Sequence, residues 1–583
     1  MLGKRTGVRT AVGLAALALV AAACGSGGGG GSSNATQGRI KGDPNTINSV
    51  ANPKKGGTLT YSLEKTIDNW NILTSAGNTF ETAEVIDAIY PSTFIAQPDL
   101  SVKMNSDLLE SAKVTNKDPQ TVVYQINPKA VWSDGVPINA DDFKYVWEAS
   151  ANCKDCDVAS SVGYTSIKSI TGSGTNNQTV TVVFSKPFSD WQYMFGPLLP
   201  AHAATPKPVD EKTLADSWNH GFADSPPRIS GGPYMISSFQ KDQSVTLVPN
   251  PKWYGAKGPY LDKLVFRMIT DATQEPPALQ NGEIDAMYPQ PEVDLIQTLN
   301  NMKNVVYQED LGLVYEHFDF NLENKALTLP VRQALFTAVD RDQILNATVK
   351  QVDPDVKPLN NRMFVPGQPG YQDNVTKYGL GSGDVAKAKD ILTKAGYKIQ
   401  GDQLIQPDGK PFPTLTMQYT VGNQIRQTEC QMFAAAAKQL GIKVNVQSTD
   451  SLGKTLTNAD AQHHFDVVVF AWVATPFPAS GNAPLYESAQ AQGGDWGGNY
   501  GHWTNAQADK LLEDALVNLD PSQVRKDLNE VDQLVSQDAY TLPLYQKPTI
   551  LAYNVKWGNI RDNATSVGPP YNVQEWGLKP SAQ

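Results

Sequence analysis

From Phe465 to Phe470 the chain runs through a short, mostly β-branched apolar stretch, which predicts a buried strand in a sheet covered on both faces. It gives way to Ala471-Trp472-Val473-Ala474-Thr475-Pro476-Phe477-Pro478. Two prolines end a regular ladder, so an aromatic-rich loop is predicted at the C-terminal end of the strand, where ligands bind in open α/β sheets. Trp472 and Phe477 read either as core aromatics rooted in that loop or as walls of a site. Other alternating runs surround this one. Gly57–Leu63, Thr121–Ile126, Thr179–Phe184, Tyr234–Phe239, Ser244–Val248 and Leu264–Ile269 predict strands. Asn139 caps a helix with Asp142 as a capping-box carboxylate, and Phe143, Val146 and Trp147 share its inner face. After Leu329 the texture becomes helix, strand, helix. Asp384 caps one helix and Gly396 ends it, while Thr414–Tyr419, Gln427–Leu440 and Val444–Gln447 read as strand, helix and strand. Val314–Asn321 alternates as a crossing between lobes, and Tyr540–Tyr545 returns toward the first. Such alternation implies an α/β architecture with parallel or mixed sheets.

The chain has 583 residues, beyond the length at which one core keeps growing, so two or more lobes are expected. A net charge of −11, with basic clustering confined to the extreme N-terminus, argues against nucleic acid and against a polybasic membrane surface. Lys4, Arg5 and Arg9 precede an apolar run, Ala11–Ala23, that is too short to span a bilayer, and small residues lead into Cys24. This resembles a bacterial lipobox, with Ala21 where leucine is preferred. The resemblance implies a signal peptide over residues 1–23, a lipid anchor on Cys24 and a location on the outer face of the cell membrane. A Gly/Ser-rich coil follows, and residues 24–53 are read as a tether.

Outside the cytoplasm Cys153 and Cys156 read as a small structural disulfide, and Cys430, in an Ala-rich helical run, as a buried thiol. A second C-x-x-C to complete a zinc site is missing, and the adjacent His463 and His464 point to opposite faces of a strand, so no metal or other cofactor is expected. Gly453-Lys454-Thr455 ends like a phosphate-binding loop, yet the first glycine such a loop needs falls on Ser448. Ser62/Lys65 and Ser451/Lys454 fit S-x-x-K, but the accompanying K-T-G is absent. An anchored hydrolase is therefore the weaker alternative, and the chain is not expected to be an enzyme.

Six stretches in one order carry a family resemblance: Val131–Glu148 (VWSDGVPINADDFKYVWE), Ser230–Tyr234, Asn250–Gly255, Gly282–Asp285, Val331–Ile344 and Ala386–Tyr397. Together they resemble the peptide/nickel family of ABC-transporter substrate-binding proteins, its oligopeptide- and dipeptide-binding members in particular. The resemblance implies a two-lobed periplasmic-binding-protein-like fold, type II, with a hinge. Lobe 1 would span residues 54–318 with a smaller domain inserted at about 96–228, lobe 2 residues 319–540, and residues 541–583 a return to lobe 1. The expected activity is capture of a peptide for import, the expected partners are ABC permease subunits, and a monomer is expected. The alternatives are a glycan or other neutral solute, nickel or haem, or a signalling or chaperone-like role for the same cleft.

In peptide-binding relatives the loop matching Phe470–Pro478 carries an aspartate that anchors the ligand's α-amino group. Here Thr475 stands at that place, and a hydroxyl cannot supply the charge-assisted bond a buried ammonium needs. Either Asp450 takes over or the ligand lacks a free N-terminus. Trp472 does match the family's tryptophan, with Ala474 and Phe477 beside it. The resemblance also points to Ser75, Gly77 and Asn78 after the first strand, to Tyr164 where the smaller domain reaches the cleft, and to the Gly-rich loop Asp495–Tyr500 with Asn499, Tyr500 and Trp503. For each of these a purely structural role is equally open.

Overall fold

Two long, alternating strands decide the architecture, because each is long enough to belong to both halves of the molecule. In the computed structural model, which describes residues 37–458, 460–494 and 496–580, these are β1 (Val305–Phe320) and β3 (Thr541–Asn554). They pair antiparallel over nearly their whole length. The signal segment, Cys24 and Asp495 lie outside the described residues.

Around this ribbon runs one eleven-stranded mixed sheet. On one side β1 pairs antiparallel with β2 (Val467–Val473), which lies parallel to Leu415–Thr420, itself parallel to Val444–Thr449. Helix Gln424–Gln439 covers one face of this half, and Phe433, Val467, Val469 and Phe318 form part of its core. On the other side β3 leads through Ala286–Met287 to Thr58–Leu63, Lys263–Met268, Ser244–Pro249 and Tyr234–Gln240. A separate antiparallel sheet, built from Leu109–Lys117, Gln120–Ile126, Thr179–Phe184 and Ile167–Ser173, forms the insertion in the first half. Cys153 and Cys156 are joined by a disulfide beside it, and Cys430 is a buried free thiol. The Asn139 cap forms as its sequence dictates: the Asn139 side chain accepts from the Asp141 N–H, and Asp142 accepts from the Asn139 N–H.

Residues 37–53 correct one expectation. Rather than continuing the tether, Gly38–Arg39 pairs parallel to Val306–Tyr307, Arg39 lies 2.6 Å from Glu309 and 3.2 Å from Asp353, and Ile40 is buried. The Gly/Ser-rich composition that argues for a coil ends at Ser33, and Arg39 and Ile40 supply the charge and apolar surface that the earlier residues lack.

The ribbon shifts register twice, between Glu316 and His317 and, with a longer interruption, between Leu311 and Tyr315. Val305–Leu311 pairs with Pro548–Asn554, and pairing resumes at Tyr315 with Gln546. At the break the Gln546 amide donates to the Leu311 carbonyl (3.3 Å) and the Gly312 carbonyl (2.8 Å), while the Leu313 N–H donates to the Ala564 carbonyl (3.0 Å). Here the two long strands cross with their ladder interrupted, the place a hinge between the halves would occupy. Gly312 is required because a Cβ would lie 1.9 Å from the Ala564 carbonyl oxygen. Gly312→Ala is therefore expected to destabilise the chain by about 1–3 kcal/mol, the usual cost of forcing extra atoms into packed surroundings, read as a lowered Tm.

Candidate functional site

The alternation of β2 gives it two unlike faces. Val467 and Val469 go into the helix-covered core, whereas Val468, Phe470 and Trp472 face the other way. β1 does the same beside it: Tyr315 lies opposite Trp472 and His317 opposite Phe470. The result is an aromatic wall. Trp472 is stacked against Tyr500 (5.7 Å between centroids, 13° between planes) and against His317 (5.9 Å, 11°), with Phe470 edge-on at 4.9 Å. Gly498 lies against the indole, where a Cβ would sit 3.2 Å from the ring. His317 is fully buried and 3.3 Å from Asp319, so the wall rests on a polar pair inside lobe 2. Trp472 and Tyr500 are half-buried, and the neighbouring Val473 is 59% exposed. Burial pushes the Tyr500 hydroxyl's pKa up.

Trp472 sits on the strand and not, as expected, on the loop after it. Pairing continues through Val473 opposite Val314, because the first proline comes only at position 476 and β1 offers an edge until then. The Ala474 N–H donates to the Leu313 carbonyl (3.1 Å), so the residue two places after Trp472 is bonded directly into the hinge.

The loop then folds on itself. The Thr475 hydroxyl donates to the Phe477 carbonyl (3.1 Å) and accepts from the Phe477 N–H (3.2 Å), which uses it as a turn former. Helix α1 (Pro478–Tyr486) follows, and its Tyr486 hydroxyl lies 3.3 Å from that of Tyr315. Lobe 1 reaches this point through the segment after its inserted sheet. Tyr193 stands edge-on to Phe477 at 5.5 Å, and the Asp190 carboxylate accepts from the N–H (2.7 Å) and hydroxyl (2.8 Å) of Ser480. Burial raises the pKa of the Asp190 carboxyl above the usual aspartate range, against those hydrogen bonds.

Of the residues singled out from sequence, the fold brings Trp472, Ala474, Thr475, Phe477 and Tyr500 together. Others go elsewhere. Asp450 follows a strand two places from β2, its side chain is 78% exposed, and its carboxylate faces His463 at 3.2 Å. Tyr164 is buried in the insertion, accepting from the Phe195 N–H at 2.8 Å. Asn499 is wholly buried, donating to the Glu487 and Trp503 carbonyls, and Trp503 stacks on Tyr540 and donates to Asp538. Each is a large or polar side chain whose polar atoms find partners inside. Ser75 and Asn78 are exposed and Gly77 is buried in a turn of lobe 1, whose Ala76 N–H points to Asp157. His317, Tyr315, Asp190 and Tyr193 were missed. The first two stand in a readable alternation; the last two meet lobe 2 across nearly 300 positions, and no local pattern marks them.

Neither S-x-x-K match builds a nucleophile. Ser451 accepts from the Lys454 N–H as a helix cap, and Lys65 lies 3.2 Å from Glu81. Among the described residues no three His, Cys, Asp or Glu side chains converge as a metal site. No described helix is long and apolar enough to cross a membrane. What the wall offers is a stacking surface beside a hinge.

A family model described as bacterial extracellular solute-binding proteins, family 5, middle region, matches residues 103–494. The oligopeptide-binding protein OppA of Mycobacterium tuberculosis is 33% identical over 524 residues, which cover 88% of this chain and 82% of that protein. Among solved structures, the periplasmic EDTA-binding protein EppA is 36% identical with a TM-score of 0.85, covering 93% of this chain and all (100%) of that one. AppA from Bacillus subtilis, in complex with a nonapeptide, shares the fold at 24% identity and a TM-score of 0.71, covering 91% of this chain and 100% of that one.

Proposed function

The chain belongs to the family 5 bacterial extracellular solute-binding proteins, and from that premise we propose that it captures oligopeptides between its lobes for an ABC importer. The observation that carries this reading is the placement of the Trp472–Tyr500 wall beside the register break of the crossing strands, with Ala474 bonded into that break. A ligand stacked on the wall thus bears on the segment about which the halves swing. Residues 1–24 support a lipid anchor on Cys24, and with it delivery from the outer face of the membrane to permease subunits, by a monomer.

The site supports a peptide whose amino terminus is not read by a carboxylate from the Phe470–Pro478 loop. Thr475 is spent on its own turn and Asp450 faces His463. The test is calorimetric titration with matched octapeptides, free and N-acetylated, after mass spectrometry of whatever co-purifies. The two forms are expected to bind equally. A loss of about tenfold on acetylation would mean that a buried carboxylate does hold the ammonium.

A second reading, a non-peptide solute, is favoured by the same missing carboxylate and by the 36% identity to a protein named for binding EDTA. Absence of any thermal shift with a peptide mixture, together with a non-peptide ligand in the co-purified fraction, would establish it instead.

A further inference from the structure

Besides Leu100, which packs with Tyr315 and Leu359, lobe 1 meets lobe 2 through a short segment, residues 186–193, that leaves the inserted sheet. It lands where two neighbouring helices of lobe 2 present opposite ends, the N-terminus of α1 and the last turns of α2 (Ala506–Val517). The first N–H groups of a helix carry partial positive charge and its last carbonyls partial negative charge. The segment answers both in order. The Asp190 carboxylate takes the N–H and hydroxyl of Ser480 in the first turn of α1, where Pro478 has no N–H to offer. One residue earlier the Ser189 N–H donates to the Leu516 carbonyl (2.8 Å) in the last turn of α2, and the Lys186 ammonium lies 3.2 Å from Glu513 one turn before. The Tyr193 ring closes the far end on Phe477. Anion thus meets the amide end, and cation and N–H meet the carbonyl end. Reversing either charge would turn attraction into repulsion.

We propose that residues 186–193 are a closure latch, and that Asp190 is a positioning residue which sets the closed fraction of the protein without contacting cargo. Such a device tunes affinity from outside the ligand surface, because apparent affinity scales with the fraction of molecules in the competent state. It rests on the capture reading only in that retained cargo is what closure serves.

Small-angle X-ray scattering of the full chain without added ligand tests it. Asp190→Ala is expected to show a larger radius of gyration than wild type, because the shift toward the open form needs no cargo. With a tryptic casein digest as probe, the variant is expected to release bound peptide about tenfold faster, the scale of losing charge-assisted hydrogen bonds. Equal radii for the two ligand-free proteins would overturn the latch. Failure of both proteins to bind the digest, with the radii still different, would count against peptide capture and leave the latch standing. If Asp190→Ala does not fold, Lys186→Glu serves, since Lys186 and Glu513 are both exposed; it must expand the ligand-free protein, and an unchanged radius would overturn the proposal.

Discussion

Replacing Trp472 with alanine is expected to weaken peptide capture by about 1–3 kcal/mol, roughly five- to 150-fold, the range of a buried aromatic anchor. The indole packs nearly parallel to the Tyr500 and His317 rings, so its plane is fixed before any ligand arrives and little side-chain freedom is left to lose. The loss should fall on binding and much less on folding, because Trp472 is only half-buried. Trp472→Phe should recover part of the affinity, since it keeps a ring against the same neighbours. Calorimetric titration alongside a thermal melt separates the two effects. Unchanged affinity in a folded Trp472→Ala protein would remove this wall from the ligand surface.

The largest stability effect is expected at Arg362. Its guanidinium is buried against Asp532, with an Nη1–Oδ1 distance of 2.7 Å, and it also donates to the Thr541 carbonyl and the Ser536 hydroxyl. Asp532 accepts in turn from Asn374, which also donates to Asn529, and the network ties the loop around residue 362 to helix α3 (Pro521–Gln537) and to the start of β3. Arg362→Ala strands a carboxylate inside lobe 2 and is expected to cost about 3–5 kcal/mol. The Arg362→Ala/Asp532→Ala double variant should cost less than the sum of the two single changes, because the stranded charge is gone. Urea unfolding of the four proteins completes the cycle; simple additivity would mean that the two groups do not act as a pair.

Much of this architecture is legible along the chain because it is dictated locally. The Asn139/Asp142 cap, the alternating strands of the insertion and the Val467–Phe470 core need only neighbours a few residues away. The site is less legible for the same physical reason. Pro476 marks where a ladder must stop, but only the partner strand decides how far it runs before that, and Trp472 was therefore misplaced into a loop. Tyr164, Asn499 and Trp503 are chemically indistinguishable from ligand contacts until their polar atoms are seen to be satisfied internally. Asp190 is a single acid in a proline-flanked segment, and its meaning comes wholly from a helix end 290 residues away.

The shared ribbon has a consequence for engineering. Since β1 and β3 each supply backbone to both lobes, neither half owns a complete set of strands. A chimera that trades one lobe for that of a relative would have to import two splice points within the same pair of strands, in matching register, or leave raw ladder edges on both products. The four-stranded insertion has its pairing satisfied within itself, yet Val122, Tyr124 and Val182 share one apolar core with Tyr61 and Phe266, so moving it would also mean matching that core.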